Sequence, residues 1–127
     1  MTTETDTARI GRLGEEAAVA HLRRLGHRLV ARNWRQGHYE LDIVTEHRGT
    51  LHIVEVKTRR SEGLTTPEDA LTSHKQQSLR RAAAAFLATT GARYEGYEVQ
   101  FDLAAVLMPA YGTAEVEWRE NAIEYGW

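Results

Sequence analysis

The chain has no cysteine in its 127 residues, which excludes disulfides, thiolate metal sites and thiol nucleophiles. Lysine is almost as scarce. Fourteen Arg stand against two Lys, Lys57 and Lys75. No apolar run approaches the length of a bilayer span, and the polar start Met1-Thr2-Thr3-Glu4-Thr5-Asp6 is no signal peptide. A cytoplasmic protein is therefore the expectation. A phosphate-binding Gly loop is missing too, since Gly11-Arg12-Leu13-Gly14 falls inside a helical pattern and reads as a packing feature. No Ser occupies a nucleophile elbow. The six His (His21, His27, His38, His47, His52 and His74) lack metal-ligand spacing and are expected at surface or turn positions. No repeat or linker divides the chain, so one domain over 1–127 is expected, with 1–7 disordered.

Against this background two charged clusters stand out, Glu40-Leu41-Asp42 and Glu55-Val56-Lys57. Ile53-Val54-Glu55-Val56-Lys57 reads as a strand. Its parity puts Glu55 and Lys57 on one face and Val54 and Val56 on the other. The same parity puts Glu40 and Asp42 together, with Leu41 and Ile43 opposite. The segment from Glu46 to Leu51 reads as a turn, with Gly49 free to take a positive φ angle. Pairing Glu46 with Leu51 around a four-residue loop sets Asp42 opposite Glu55 and Glu40 opposite Lys57. Opposed Cβ atoms lie about 4.5–5.5 Å apart, so two carboxylates there repel unless a proton or a cation joins them. A hard divalent metal is the simplest such cation. The plainer alternative is an exposed polar face on which Glu40 and Lys57 form a cross-strand ion pair.

Net charge is −2, but it is unevenly spread. Seven Arg between Arg9 and Arg35 face only Glu15 and Glu16, while Gly112 to Trp127 holds four Glu and one Arg. A basic half can hold a phosphate backbone even in an acidic protein, or it can simply solubilise a helix. That helix is predicted over Ala8 to Leu25, with Gly26 as its stop. Glu16 falls on its wet side. Glu15 falls at the border of the buried face, beside Gly11, Val19 and Leu22, where it either snorkels out or has a partner inside.

A strand is predicted from His27 to Trp34, and Arg32-Asn33-Trp34-Arg35 then turns into the charged hairpin. Arg32 and Arg35 are candidate phosphate contacts. Trp34 could stack on a base, but a core position is favoured for it. Ser61 to Thr66 is a polar loop, and Thr66-Pro67-Glu68-Asp69 looks like a helix start. Ser73-His74-Lys75-Gln76 is a second start with capping-box spacing, placing Lys75 where an anion would dock. A helix follows to Gly91, then a strand from Tyr97 to Met108, a short edge strand at Val116-Glu117-Trp118, and a turn at Asn121-Ala122-Ile123.

Gly14-Glu15, Arg32-Asn33-Trp34-Arg35, Glu40-Leu41-Asp42, Val54-Glu55-Val56-Lys57, Ala70 with Lys75, and Phe101-Asp102 together resemble the YraN-like family of uncharacterised bacterial proteins. That family resembles the PD-(D/E)XK nuclease superfamily and is similar to archaeal Holliday-junction resolvases. The resemblance runs from about Gly11 to Asn121. It departs at Tyr39, where the family usually has Gly, and at Gln100, where it usually has Arg. It implies that Asp42 and Glu55 hold the metal, that Lys57 assists the attacking water, and that Glu15 is a further ligand or water contact; Glu40, on the same strand face as Asp42, is a candidate supporting carboxylate.

These readings lead to a restriction-endonuclease-like α/β fold, a mixed β-sheet flanked by helices in αβββαβ order. The expected activity is Mg²⁺- or Mn²⁺-dependent hydrolysis of nucleic-acid phosphodiesters, with DNA the expected partner and no membrane involved. So small a surface favours structure-selective binding, of branched or junction DNA for example, with a homodimer as one way to widen it. The alternative is a non-catalytic nucleic-acid-binding or protein-docking domain that keeps the nuclease fold.

Overall fold

Alternating apolar residues and one tight turn set the centre of the sheet. In the computed structural model, which describes residues 4–60, 71–109 and 112–123, β2 (Tyr39–His47) and β3 (Thr50–Arg59) form an antiparallel hairpin. Glu46 pairs with Leu51, the register the sequence implied, but the ladder continues to His47–Thr50. The loop is thus only Arg48-Gly49, not four residues. Both take positive φ, 49° and 78°, as the tight turns that match strand twist require.

β1 (Arg28–Gln36) lies antiparallel to β2 on the outer side. β4 (Glu98–Leu107) runs parallel to β3, and β5 (Glu115–Arg119) closes the other edge antiparallel to β4. The five strands lie in chain order. The parallel β3–β4 pair needs a crossover, which α2 (Ser73–Ala88) supplies. With α1 (Asp6–Arg24) ahead of the sheet, this is the mixed, helix-flanked α/β architecture expected, plus the short final strand. The loop read at 61–66, the helix start at 66–69 and Ala70 lie outside the described residues.

Each helix covers one face. Leu79, Ala82, Ala83 and Phe86 of α2 pack with Leu51, Ile53, Phe101 and Leu103. Ala18, Val19 and Leu22 of α1 pack with Ile43, Val54, Ala104 and Val106. Alternation fails at the Leu29–Ala31 bulge of β1, where Val30 and Ala31 both pack on the α2 side, and again at Leu41. Ile43 belongs to the α1 side, yet Leu41 and its partner Trp34 belong to the α2 side, where Trp34 meets Phe86 edge-on at 5.4 Å. Trp34 therefore packs against the core, on a strand that continues to Gln36. This second break falls at Asn33 and Asp42, and Asn33 has φ 52°. Regular parity would have put Leu41 with Ile43.

Two helix starts differ from expectation. Thr5 caps α1, accepting from the Ala8 N–H at 3.1 Å, so Asp6 and Thr7 are helical. Thr72, not Ser73, caps α2, accepting from the Lys75 N–H at 3.2 Å, while Gln76 donates back to the Leu71 carbonyl. Among the described residues no helix is long and apolar enough to cross a membrane.

Candidate active site

Gly14 lets α1 sit directly on β3. A Cβ at Gly14 would lie 1.9 Å from Thr58 Oγ1 and under 3 Å from two further Thr58 atoms. This close approach delivers the next residue, Glu15, to the place where β2 and β3 part. The backbone ladder between those strands ends at Ile43–Val54. Beyond it Asp42 Oδ2 accepts the Val56 N–H at 2.9 Å, a bond a continued ladder would have given to a β2 carbonyl. Glu15, Asp42 and Lys57 line one open cavity of about 580 Å³, together with Thr7, Ile10 and Gly11.

Burial sets the electrostatics of this place. It raises the Asp42 carboxyl above its ordinary range, against the opposing pull of the Val56 N–H. It pushes Glu55 up to about 7, with the Asp42 charge adding to the effect and Lys75 opposing it. Glu15 is also raised, by burial first and Asp42 second, while Arg32 and Asn33 act the other way. One oxygen of Glu15, Oε1, is buried with no hydrogen-bond partner. Asp42 is thus the shared neighbour, raising Glu15 of α1 on one side and Glu55 of β3 on the other. The donor set is all oxygen, which suits a hard divalent cation.

The remaining residues singled out in the sequence fall into two groups. Lys75 joins the site, with Nζ 3.2 Å from Glu55 Oε1, instead of standing on a separate phosphate-binding surface. Lys57 is exposed at the cavity. Glu40 does not pair with it. The ladder has already ended, and Glu40 faces Arg35 across β1–β2 at 3.8 Å. Arg32 reaches the Arg12 carbonyl at 3.5 Å. The Arg9–Arg35 region is less open than its charge count suggests. Arg9 faces Asp6, Arg12 faces Glu4 and Glu16, and Arg28 faces Glu46.

His38 and His74 are exposed as expected, but three other histidines correct the surface-or-turn expectation. His27 and His52 are buried, at 5% and 3% exposure, and His47 is half-buried beside them. Burial, then the neighbouring His52 and His47, lowers His27 to about 4. Sequence reasoning looked for local ligand spacing and missed a cluster built across strands. The signal was available in the hairpin register, which makes His47 and His52 diagonal neighbours on one face. Asp102 was noted only as part of a motif. It is fully buried and accepts from Gln100 Nε2, Trp118 Nε1 and the Asn121 N–H, and it bonds His52 Nδ1. Gln100, where the resemblance leads one to expect Arg, donates to it at 2.8 Å.

A five-stranded mixed sheet between two helices, with carboxylates gathered where the central hairpin opens, defines a restriction-endonuclease-like domain. Residues 14–106 match the family model described as "Uncharacterised protein family UPF0102". A UPF0102 protein of Nitratidesulfovibrio vulgaris is 55% identical over 82 residues, covering 65% of this chain and 61% of that protein. One from Nocardia farcinica is 42% identical over 103 residues, covering 81% of this chain and 80% of its own. One from Porphyromonas gingivalis is 38% identical over 113 residues, covering 88% and 82%. The chain belongs to the UPF0102 family, the YraN-like family whose motifs it carries. It spans less than two thirds of the Nitratidesulfovibrio relative's length.

Proposed function

We propose that this chain hydrolyses nucleic-acid phosphodiester bonds with a divalent metal, Mg²⁺ or Mn²⁺, and that its substrate is DNA selected by structure, branched or junction DNA included. The observation that carries the reading is the meeting of Glu15 and Asp42, from α1 and β2, with Lys57 at one cavity, with Glu55 of β3 beside Asp42. Glu15 Oε1, buried without a partner, supports a fit to a cation, because an unpaired buried oxygen is costly unless something satisfies it.

Asp42, Glu55 and Glu15 would hold the metal, which when bound supplies charge neutralisation at the phosphoryl oxygens and a more acidic water. The protein's own residues do the rest. Val56 N–H fixes one Asp42 oxygen, so that carboxylate keeps its orientation. Lys75 balances the negative charge at Glu55 and keeps it from rising further. Lys57 presents a compact ammonium at the open side, where it orients the attacking water or meets the crowded phosphorus centre. Arg32 and Arg35, on the strand next to Asp42, hold the flanking phosphates.

One observation favours the second reading, a non-catalytic nucleic-acid-binding or docking domain. Lys75 already gives Glu55 a cationic partner without a metal. Cleavage separates the two. End-labelled junction, duplex and single-stranded DNA, and RNA, are incubated with Mg²⁺ or with chelator. The enzyme cuts at least one of these in metal alone. Binding without cleavage under every metal tried assigns the docking role.

A further inference from the structure

We propose that His27, His47 and His52 form a second metal site, for a borderline ion of the Zn²⁺ type, at the turn end of the β2–β3 hairpin. One nitrogen of each ring lies within 4.8 Å of the others. The rings come from three separate segments: the residue before β1, the last residue of β2, and β3. His52 is three residues from Glu55 along β3, roughly 10 Å of extended chain, so this cluster is distinct from the carboxylate site.

The outer partners are those a metal-binding histidine needs. His52 Nδ1 bonds Asp102 Oδ2 at 2.7 Å, and His27 Nδ1 bonds Thr45 Oγ1 at 2.8 Å. Each contact occupies one ring nitrogen and leaves Nε2 as the donor atom. Partners of this kind fix ring orientation and raise ligand basicity. Asp102 is itself fixed by Gln100, Trp118 and Asn121.

His27 Nε2 is buried and has no hydrogen-bond partner. Packing alone accounts for the rings. His27 stacks on His47 with centroids 4.5 Å apart, and Trp118 meets His27 edge-on at 5.0 Å. It does not account for a buried ring nitrogen left without a partner, because such an atom costs free energy unless paired. A metal ion pairs it. Zn–N bonds of about 2.0–2.1 Å in tetrahedral geometry require the nitrogens to close to about 3.4 Å. His47, half-buried at a strand end, must also turn out of its stack on His27 to bring its ring plane onto the ion. Gly26 adjoins this ring, since a Cβ there would lie 3.4 Å from His47 Nε2.

Three imidazoles select against Mg²⁺ and for Zn²⁺, Co²⁺, Ni²⁺ or Cu²⁺. With three protein ligands, water takes the fourth position. The bound ion would fasten the end of α1 to β2 and β3.

The test titrates Co²⁺, whose visible absorption reports its coordination, into the chelator-stripped full chain. We expect saturable one-to-one bands, displaced by Zn²⁺ and indifferent to Mg²⁺. The Asp42→Asn/Glu55→Gln double variant keeps them. Thr45→Val, near-isosteric but without the His27 partner, should weaken Co²⁺ binding about 10–100-fold, and His47→Gln by at least as much. Circular dichroism checks that each variant folds. If His47→Gln does not fold, Thr45→Val decides. No bands in the wild type, unchanged affinity in a folded Thr45→Val or His47→Gln, or loss of the bands in the carboxylate variant overturns the proposal.

Discussion

Lys75 Nζ lies 3.2 Å from Glu55 Oε1, joining the first turn of α2 to the middle of β3. The contact puts a cation beside the carboxyl that burial and Asp42 push up to about 7. Through Glu55 it brings α2 next to Asp42, which lines the cavity beside α1.

A pH dependence follows. Glu55 is an acid whose folded pKa is raised above its ordinary 4.5. Its contribution to stability without metal is full below 4.5 and is lost as pH rises through about 7. Metal binding needs ionised carboxylates, so protons compete with it. The increase in melting temperature caused by Mg²⁺ should therefore grow between about pH 5 and 8. Lys75→Met, which removes a cation that lowers both Asp42 and Glu55, should move that rise to higher pH. A metal effect that does not change with pH contradicts this.

Gly14 and Gly11 should behave oppositely. Gly14→Ala drives a methyl into Thr58 and should cost about 1–3 kcal/mol by urea unfolding, while pushing Glu15 away from Asp42. Nothing lies within 4 Å of a Cβ at Gly11, so Gly11→Ala should be neutral or stabilise by up to about 1 kcal/mol. Equal effects would mean that α1 does not press on β3 as described.

Lys57→Ala tests the division of labour among the charged groups. Because Glu40 pairs with Arg35, the substitution should leave the melting curve unchanged. Metal and DNA binding should stay close to wild type while single-turnover cleavage falls about 10²–10⁴-fold. A variant that cleaves at the wild-type rate removes Lys57 from the chemistry.

DNA affinity should fall steeply with salt, because neutralised phosphates release counterions. Arg35 is exposed, and its 3.8 Å pair with Glu40 is the kind that exchanges readily for phosphate. Arg35→Ala should reduce the slope of log K against log salt by about one, with little dependence on sequence. A flat salt response in the wild type would point to protein docking.

Much of this was legible in the sequence, for identifiable reasons. Period-two alternation and Gly49 located the hairpin and its register, since a one-residue slip would have buried the charges. A helical wheel put Glu15 at the border of the buried face, and Gly14 explains why that border meets β3. What escaped is what tertiary packing decides. The parity break at Asp42 depends on Asn33 taking a left-handed φ, which no alternation pattern announces. The Lys75–Glu55 pair depends on how α2 returns to the sheet. Thr72 and Ser73 are both good caps, so the sequence could not choose between them. The histidines gather only once β1, β2 and β3 are side by side.

The most direct test of the metal centre is the melting temperature in Mg²⁺ of the wild type and Asp42→Asn. An ion that binds only the folded chain stabilises it by about 2.7 kcal/mol at a hundredfold excess over its dissociation constant. The wild type should melt several degrees higher in Mg²⁺ than in chelator, and Asp42→Asn should lose that rise. An equal rise in both proteins, or none in the wild type, would contradict a metal centre built on Asp42, Glu55 and Glu15.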